Sequence, residues 1–350
     1  MFDRDRCVDA FSCLRNRMLL WLNGSEPRDV WGQRFEAVMR LSEQENPWFT
    51  SDNVVLAVKN LTIMLQEDMI HEWLGRYPNI ACGHGKVVGV VMAGNIPMVG
   101  FHDFMCVLMS GNRFLGKLAH DDRHFLPFMS ETLVEAMPEL EEYISFTTER
   151  LVDFDAIIAT GSNNSSRYFD FYFGRYPNLI RRNRNGVAVL MGDEQNDDLR
   201  RLCSDIIQFF GLGCRSVSML FVPRGYDFIP LLDLLSEYNV RLSDNHRYYN
   251  NYKYYRTIHL LDQKHHFDTG AMIVKEDVAF QSPVAVLHYQ YYDTIEQLHM
   301  LLAENEDKVQ CVVSNRGVFD GSFDFGNAQT PRVFDYADGV DTMEFLLSLK

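Results

Sequence analysis

The segment Lys86 to Ala93, KVVGVVMA, constrains this chain most. It is an apolar, β-branched run with no polar alternation, which suits a strand buried on both faces. The turn Asn95-Ile96-Pro97 follows, and the spacing then predicts a helix over 98–110. Strands are expected at 112–118, 143–148 and 155–159, and helices at 122–137 and 163–173. Strands alternating with helices over short links give right-handed crossovers and a parallel sheet, so the class is α/β. Ligands of such sheets bind beyond the carboxyl ends of the strands.

Ahead of this block, residues 1–75 read as helical. Phe11, Leu14, Met18 and Leu22 recur at three- and four-residue steps on one apolar face. Asn46-Pro47 ends a helix, and Thr50 or Ser51 caps the next. After the block come a strand at 186–191, a helix at 196–210, the turn Gly211-Leu212-Gly213 and a strand at 216–222. The stretch 244–266 is crowded with Tyr, Asn and His. Residues 277–291 read as extended and 293–305 as helical. A chain of 350 residues has the length of about two domains of ~150 residues each.

Charge narrows the partners. Lys plus Arg number 33 and Asp plus Glu 48, a formal net charge of −15. That argues against nucleic acid or an anionic membrane as the main partner. The apolar stretch Val87 to Met109 has the length of a membrane span. Gly94, Asn95, Pro97, His102 and Asp103 interrupt it, so no integral membrane segment is expected. The mixed-charge N-terminus does not read as a signal peptide. Seven cysteines without a C-x-x-C pair point to neither a disulfide frame nor a zinc site, and the expectation is reduced thiols in a cytoplasmic protein.

Four segments hold candidates for chemistry. Cys214, in FFGLGCRS, follows two glycines that let the backbone bend sharply and precedes Arg215, whose charge favours a thiolate. It is a nucleophile or an ordinary buried thiol. Asn95, between a strand and a helix, supplies an amide to a developing oxyanion or caps the helix. Thr160-Gly161-Ser162 opens a helix after a strand, suiting a phosphate or plain capping. Lys117, at a strand end, reaches a ribose or phosphate or is a solvated charge. The basic run Arg181-Arg182-Asn183-Arg184 binds a phosphate or pairs with the many acids.

Taken in order, these segments resemble the aldehyde dehydrogenase superfamily. More closely they resemble its acyl-CoA reductase branch, related to the bacterial bioluminescence fatty-acid reductase (LuxC-like). The similarity is densest in GNIPMVGFHDFMCVLMSGNRFLGKL, ATGSNNSSRYF, FFGLGCRSVSMLFV and DYADGVDTMEFLLSL. The resemblance implies a Rossmann-type cofactor domain over 1–185 and an α/β catalytic domain over 186–320. The segment 321–350 would return to the first domain or to a partner subunit. It implies Cys214 as nucleophile and Asn95 as oxyanion amide. Lys117, Thr160, Gly161 and Ser162 would contact the cofactor. His120 stands where NAD-preferring relatives often carry a Glu that repels a 2′-phosphate, so NADPH is expected, with NADH as the alternative.

Two further departures bear on the reaction. Arg181-Arg182-Asn183-Arg184 replaces a Glu-Leu-Gly-Gly whose Glu activates the hydrolytic water. Ala279-Phe280-Gln281-Ser282-Pro283 replaces a Glu-x-Phe-Gly-Pro whose Glu grips the nicotinamide ribose. The expected activity is NADPH-dependent reduction of a fatty acyl-CoA thioester to the aldehyde through an acyl-Cys214 intermediate. The alternatives are an acyl-protein or acyl-phosphate donor, and a catalytically inactive scaffold subunit. The expected partners are an acyl thioester, a second copy of the chain in a homodimer and an acyl-delivering protein. No metal is expected.

Overall fold

A computed structural model describes residues 2–24, 29–77, 85–161 and 163–349. The chain divides into two compact units. One comprises residues 1–182 with 331–350, and the other residues 183–330.

The first unit begins with helices α1 (Arg4–Leu22), α2 (Val30–Glu45), α3 (Ser51–Met64) and α4 (Glu67–Gly75). Each of the first three starts on a side-chain oxygen. Asp3 accepts from the Arg6 amide, Asp29 from Gly32 and Thr50 from Asn53, satisfying amides that have no partner within the helix. The periodic face of α1 is buried at Phe11, Leu14, Met18 and Trp21, and Leu22 is half-buried. Trp31 stacks on Phe35 at 5.2 Å, and its indole N–H donates to Thr132 at 2.8 Å.

Strand β1 (Val87–Val91) leads to α5 (Phe101–Met109), then β2 (Arg113–Lys117), α6 (Phe125–Ala136), β3 (Ile144–Thr147), β4 (Ala156–Thr160), α7 (Asn163–Phe173) and β5 (Asn178–Arg181). All four pairings are parallel, in the order β3-β2-β1-β4-β5. The apolar run at 86–93 is therefore the central strand, buried at Val88 and Val90. The strand order reverses between β1 and β4, which opens a crevice beyond their carboxyl ends. Among the described residues no helix is long and apolar enough to cross a membrane.

Residues 331–350 fold with this unit. Asn112 Nδ2 donates to the Leu346 carbonyl at 3.2 Å, and Trp73 Nε1 to the Tyr336 hydroxyl at 2.6 Å. His102 Nε2 lies 2.7 Å from the Val333 carbonyl, and the Cys106 Sγ, one turn along the same helix, lies 3.9 Å from its ring nitrogens. Arg181, the first residue of the basic run, is buried. It bonds the Asp103 carboxylate at 2.6 Å and the Thr342 hydroxyl at 2.8 Å.

The second unit contains β6 (Asn185–Val189), α8 (Asn196–Ile207), β7 (Val217–Pro223), α9 (Ile229–Ser236), α10 (Asn239–Asp244), α11 (His246–Leu261), β8 (Phe267–Asp268), β9 (Ile273–Glu276), β10 (Val286–Tyr292), α12 (Ile295–Glu304), β11 (Val309–Ser314) and β12 (Phe323–Asp324). Its sheet order is β12-β11-β6-β7-β10-β9-β8, parallel except for β8 on β9. Val187, Val189, Met219, Phe221, Leu298 and Leu302 form a core under one face. The Tyr- and His-rich stretch is helix α11.

Among the expected elements that are shorter than their sequence patterns, three have a backbone reason. The helix expected over 98–110 starts at 101, because Met98 has φ 60°. The helix expected over 196–210 stops at Ile207, because Phe209 and Phe210 take φ 51° and 56°. Such left-handed conformations end a helix for residues other than glycine. The extended stretch expected over 277–291 is a strand only over Val286–Tyr292. Before it, Asp277 caps the Ala279 amide and Ala285 takes φ 64°.

Candidate functional site

In the first unit, five of the predicted residues share the carboxyl edge of the sheet. Lys117 is the last residue of β2 and pairs in register with Val91, the last of β1. The Met92 amide donates to the Lys117 carbonyl at 3.3 Å, so the chain leaving β1 stays beside β2 as it approaches Asn95. Thr160 ends β4, the other neighbour of β1, and Gly161 follows it. His120 is exposed, next to Asp121, whose carboxylate lies 3.1 Å from its Nδ1. Ser162 lies outside the described residues.

Asn95 is exposed and does not cap α5, whose cap position is Gly100. The turn after it is anchored by the Met98 amide, which donates to the Asp122 carboxylate at 2.7 Å. Burial pushes that carboxyl up to about 7, and the Met98 amide pulls it down. Gly94 is needed here: a Cβ would lie 2.7 Å from the Ala119 side chain. Gly161 is equally confined, since a Cβ would meet Phe169 at 2.8 Å and Ser165 at 2.9 Å. The confined Gly161 ahead of α7, with Lys117 two strands away on the same edge, could hold a dinucleotide.

In the second unit, the sharp bend at Phe209-Phe210-Gly211 delivers Cys214 to a turn just ahead of β7. Cys214 is exposed. Among the other described thiols, Cys13 is half-buried, while Cys7, Cys106, Cys203 and Cys311 are buried. Burial pushes Cys7 and Cys203 up to about 12, Cys311 to about 11, and Cys106 well above its ordinary value. Those four are held as neutral thiols.

The Cys214 turn is held from both sides within its unit. Gly186 of β6 donates its amide to the Ser216 carbonyl at 3.1 Å. A Cβ at Gly186 would lie 2.5 Å from the Arg215 carbonyl oxygen and 2.9 Å from that of Ser216. Gly186→Ala is therefore expected to cost about 1–3 kcal/mol, read as a lower melting temperature. From the other side comes the segment 323–330. The Arg215 Nε–H donates to the Ala328 carbonyl, and the guanidinium lies over the Phe323 ring at 4.6 Å. Gln329 Nε2 donates to the Ser216 hydroxyl at 2.9 Å.

Sequence reasoning missed Asp205. It lies on α8, fully buried, and accepts from the Gly326 amide at 2.7 Å and the Ala328 amide at 3.0 Å. Burial pushes its carboxyl up to about 6, against the pull of those amides and of Arg215. Only an acid four positions before the Phe209-Phe210 bend hinted at it.

No protein-family profile and no curated protein matches the sequence. Solved structures do match the fold. Aldehyde dehydrogenase 21 from Physcomitrella patens, in complex with the reaction product succinate, is 12% identical with a TM-score of 0.64, covering 99% of this chain and 84% of its own. An aldehyde dehydrogenase of Mycobacterium tuberculosis complexed with NAD+ is 14% identical with a TM-score of 0.61, over 90% of this chain and 73% of its own. A putative aldehyde dehydrogenase from Burkholderia cenocepacia is 14% identical with a TM-score of 0.61, over 89% and 74%. The chain has the aldehyde dehydrogenase fold.

Both segments expected to depart from the family pattern are engaged in contacts. Arg181, at the start of the basic run, is occupied by its buried pairing with Asp103 and Thr342. Arg182 is exposed and lies 3.5 Å from Asp170, and Arg184 donates to the Glu306 carbonyl at 3.0 Å. The run is therefore ion-paired and hydrogen-bonded. In the segment 279–283, His288 Nδ1 lies 2.7 Å from the Ala279 carbonyl, and the Ser218 hydroxyl donates to that of Phe280. The Phe280 side chain belongs to the core.

Proposed function

We propose that this chain is an NADPH-dependent reductase of acyl-CoA thioesters, releasing the aldehyde through an acyl-enzyme on Cys214. The observation that carries the reading is the exposure of Cys214 on a pinned turn, against four described thiols held buried. Deprotonated, Cys214 attacks the thioester carbonyl. The new S–acyl bond forms as the bond to the CoA sulfur breaks, and CoA leaves as its thiol. The Cys214 backbone amide would stabilise the oxyanion, and the resemblance assigns the Asn95 side-chain amide to the same charge.

Lys117, Thr160, Gly161 and Ser162 would hold the dinucleotide, and the absence of a carboxylate at position 120 favours NADPH over NADH. When bound, the nicotinamide supplies the hydride that reduces the acyl carbon. Release of aldehyde restores the Cys214 thiol. The basic run supports reduction over hydrolysis: Arg181 is locked to Asp103, and no carboxylate stands in residues 181–184 to activate water.

The decisive comparison sets NADPH consumption with acyl-CoA against NAD reduction with free aldehyde. The reading requires the first to dominate, and turnover confined to the second overturns it. An acyl-protein or acyl-phosphate preferred over acyl-CoA in the same assay would reassign the donor. Asn95→Ala is expected to lower kcat by about 10²–10³. Its melting temperature should stay unchanged, because Asn95 is exposed and caps no helix. A lower melting temperature with normal kcat would contradict the role.

A further inference from the structure

We propose that Asp205 is the positioning residue of the Cys214 turn, acting through the segment 326–329. The inference rests on the reading of Cys214 as the nucleophile and adds how its turn is held. Asp205 belongs to α8, the helix that precedes the turn in the chain, and its side chain is completely buried. Its two oxygens are divided between two backbone amides, Oδ2 taking Gly326 and Oδ1 taking Ala328. One carboxylate thus fixes two alternate peptide units of a segment that has no strand or helix of its own beyond Asp324.

That segment reaches the turn at two consecutive residues. The Ala328 carbonyl accepts from Arg215, and the Gln329 side chain donates to Ser216. Ala328 therefore carries both arms: its amide bonds Asp205 and its carbonyl bonds the residue after Cys214. Gly326 takes φ 88° with its Cβ position facing the Arg201 side chain, so the segment turns where Asp205 grips it. A second link, Arg201 to Asp324 at 2.9 Å, ties the same helix to the start of the segment. Arg215 has one further buried nitrogen, Nη2, without a protein partner, so its seat depends on Nε, on Phe323 and on the nearby Asp205 charge. A carboxylate accepts two amides at full strength, whereas an amide side chain of the same shape offers one accepting oxygen and leaves the other backbone N–H facing a donor.

The test uses the full chain and two variants, Asp205→Asn and Gln329→Leu. Iodoacetamide labelling of Cys214, followed by peptide mass, reads the turn independently of any turnover. Acylation of Cys214 by acyl-CoA reads the chemistry, and the dissociation constant for NADPH serves as control. Both variants should fold, keep their NADPH affinity, and acylate Cys214 about 10- to 10²-fold more slowly, since small misplacement of a nucleophile costs that much. Labelling of Cys214 should change in parallel. Two folded variants whose labelling and acylation both stay within about twofold of the parent would overturn the proposal. Should Asp205→Asn fail to fold, Gln329→Leu alone decides it. Changed labelling in a chain that accepts no acyl group would keep the positioning role and reject the reductase reading instead.

Discussion

Cys214→Ser is expected to fold normally and to consume NADPH with acyl-CoA roughly 10⁴-fold more slowly or worse, the scale seen when an enzyme loses its nucleophile. A serine hydroxyl is far less acidic than a thiol, and its acyl ester would be a poorer electrophile than a thioester. The fold should not notice. Cys214 is exposed in a turn, while the packing of this unit rests on residues such as Val187, Met219 and Phe221. The measurement is NADPH oxidation with matched thermal melts. Residual turnover near the parent value would assign the chemistry elsewhere. Cys203→Ser and Cys311→Ser supply the contrast: both thiols are buried with pKa values raised to about 12 and 11, and neither substitution should remove the reaction.

Arg181→Met has the largest expected effect on stability. Arg181 and Asp103 are both buried, 2.6 Å apart, and the guanidinium also donates to the Thr342 hydroxyl. Removing the cation leaves an uncompensated carboxylate, a loss of about 3–5 kcal/mol. Asp103→Asn strands the buried guanidinium in turn and should cost a comparable amount, offset in part by an amide oxygen that still accepts from Arg181. Replacing both partners with apolar residues should recover much of the loss, since a buried pair contributes little beyond offsetting its own desolvation. Denaturant unfolding of the two single variants and the double variant checks this. Equal loss in all three would mean that packing, and not the stranded charge, sets the cost.

Much of the architecture was legible because it follows from local pattern. The run at 86–93 is a central strand, and the alternation after it produced the parallel sheet. Gly94, read only as an interruption of an apolar stretch, and Gly161, read only as part of a helix-opening segment, also stand where a Cβ would clash with Ala119 or with Phe169. What was not legible depends on residues far apart in the chain or on strained backbone. Nothing in the sequence near Arg181 announces Asp103, 78 positions away, so the basic run gave no sign of which arginine is buried. Asp205 reads locally as one more acid on a polar helix, and only folding brings residues 326 and 328 onto it. The helix ending at Ile207 carries an apolar pattern that continues through Phe210. The left-handed conformations of Phe209 and Phe210 override that pattern, and they aim the chain into the Cys214 turn. Asn95 could be read as a cap or as an amide offered to a developing oxyanion, and the start of α5 at Phe101 with Gly100 at its cap removes the first.

The most direct test of the central claim is intact-mass spectrometry of the purified chain after mixing with medium- and long-chain acyl-CoAs, with and without NADPH. The account predicts a single acyl adduct that maps to Cys214, is absent in Cys214→Ser, and is discharged as aldehyde when NADPH is added. An adduct on another residue, or no adduct with any acyl-CoA while NADPH is still consumed, would contradict it.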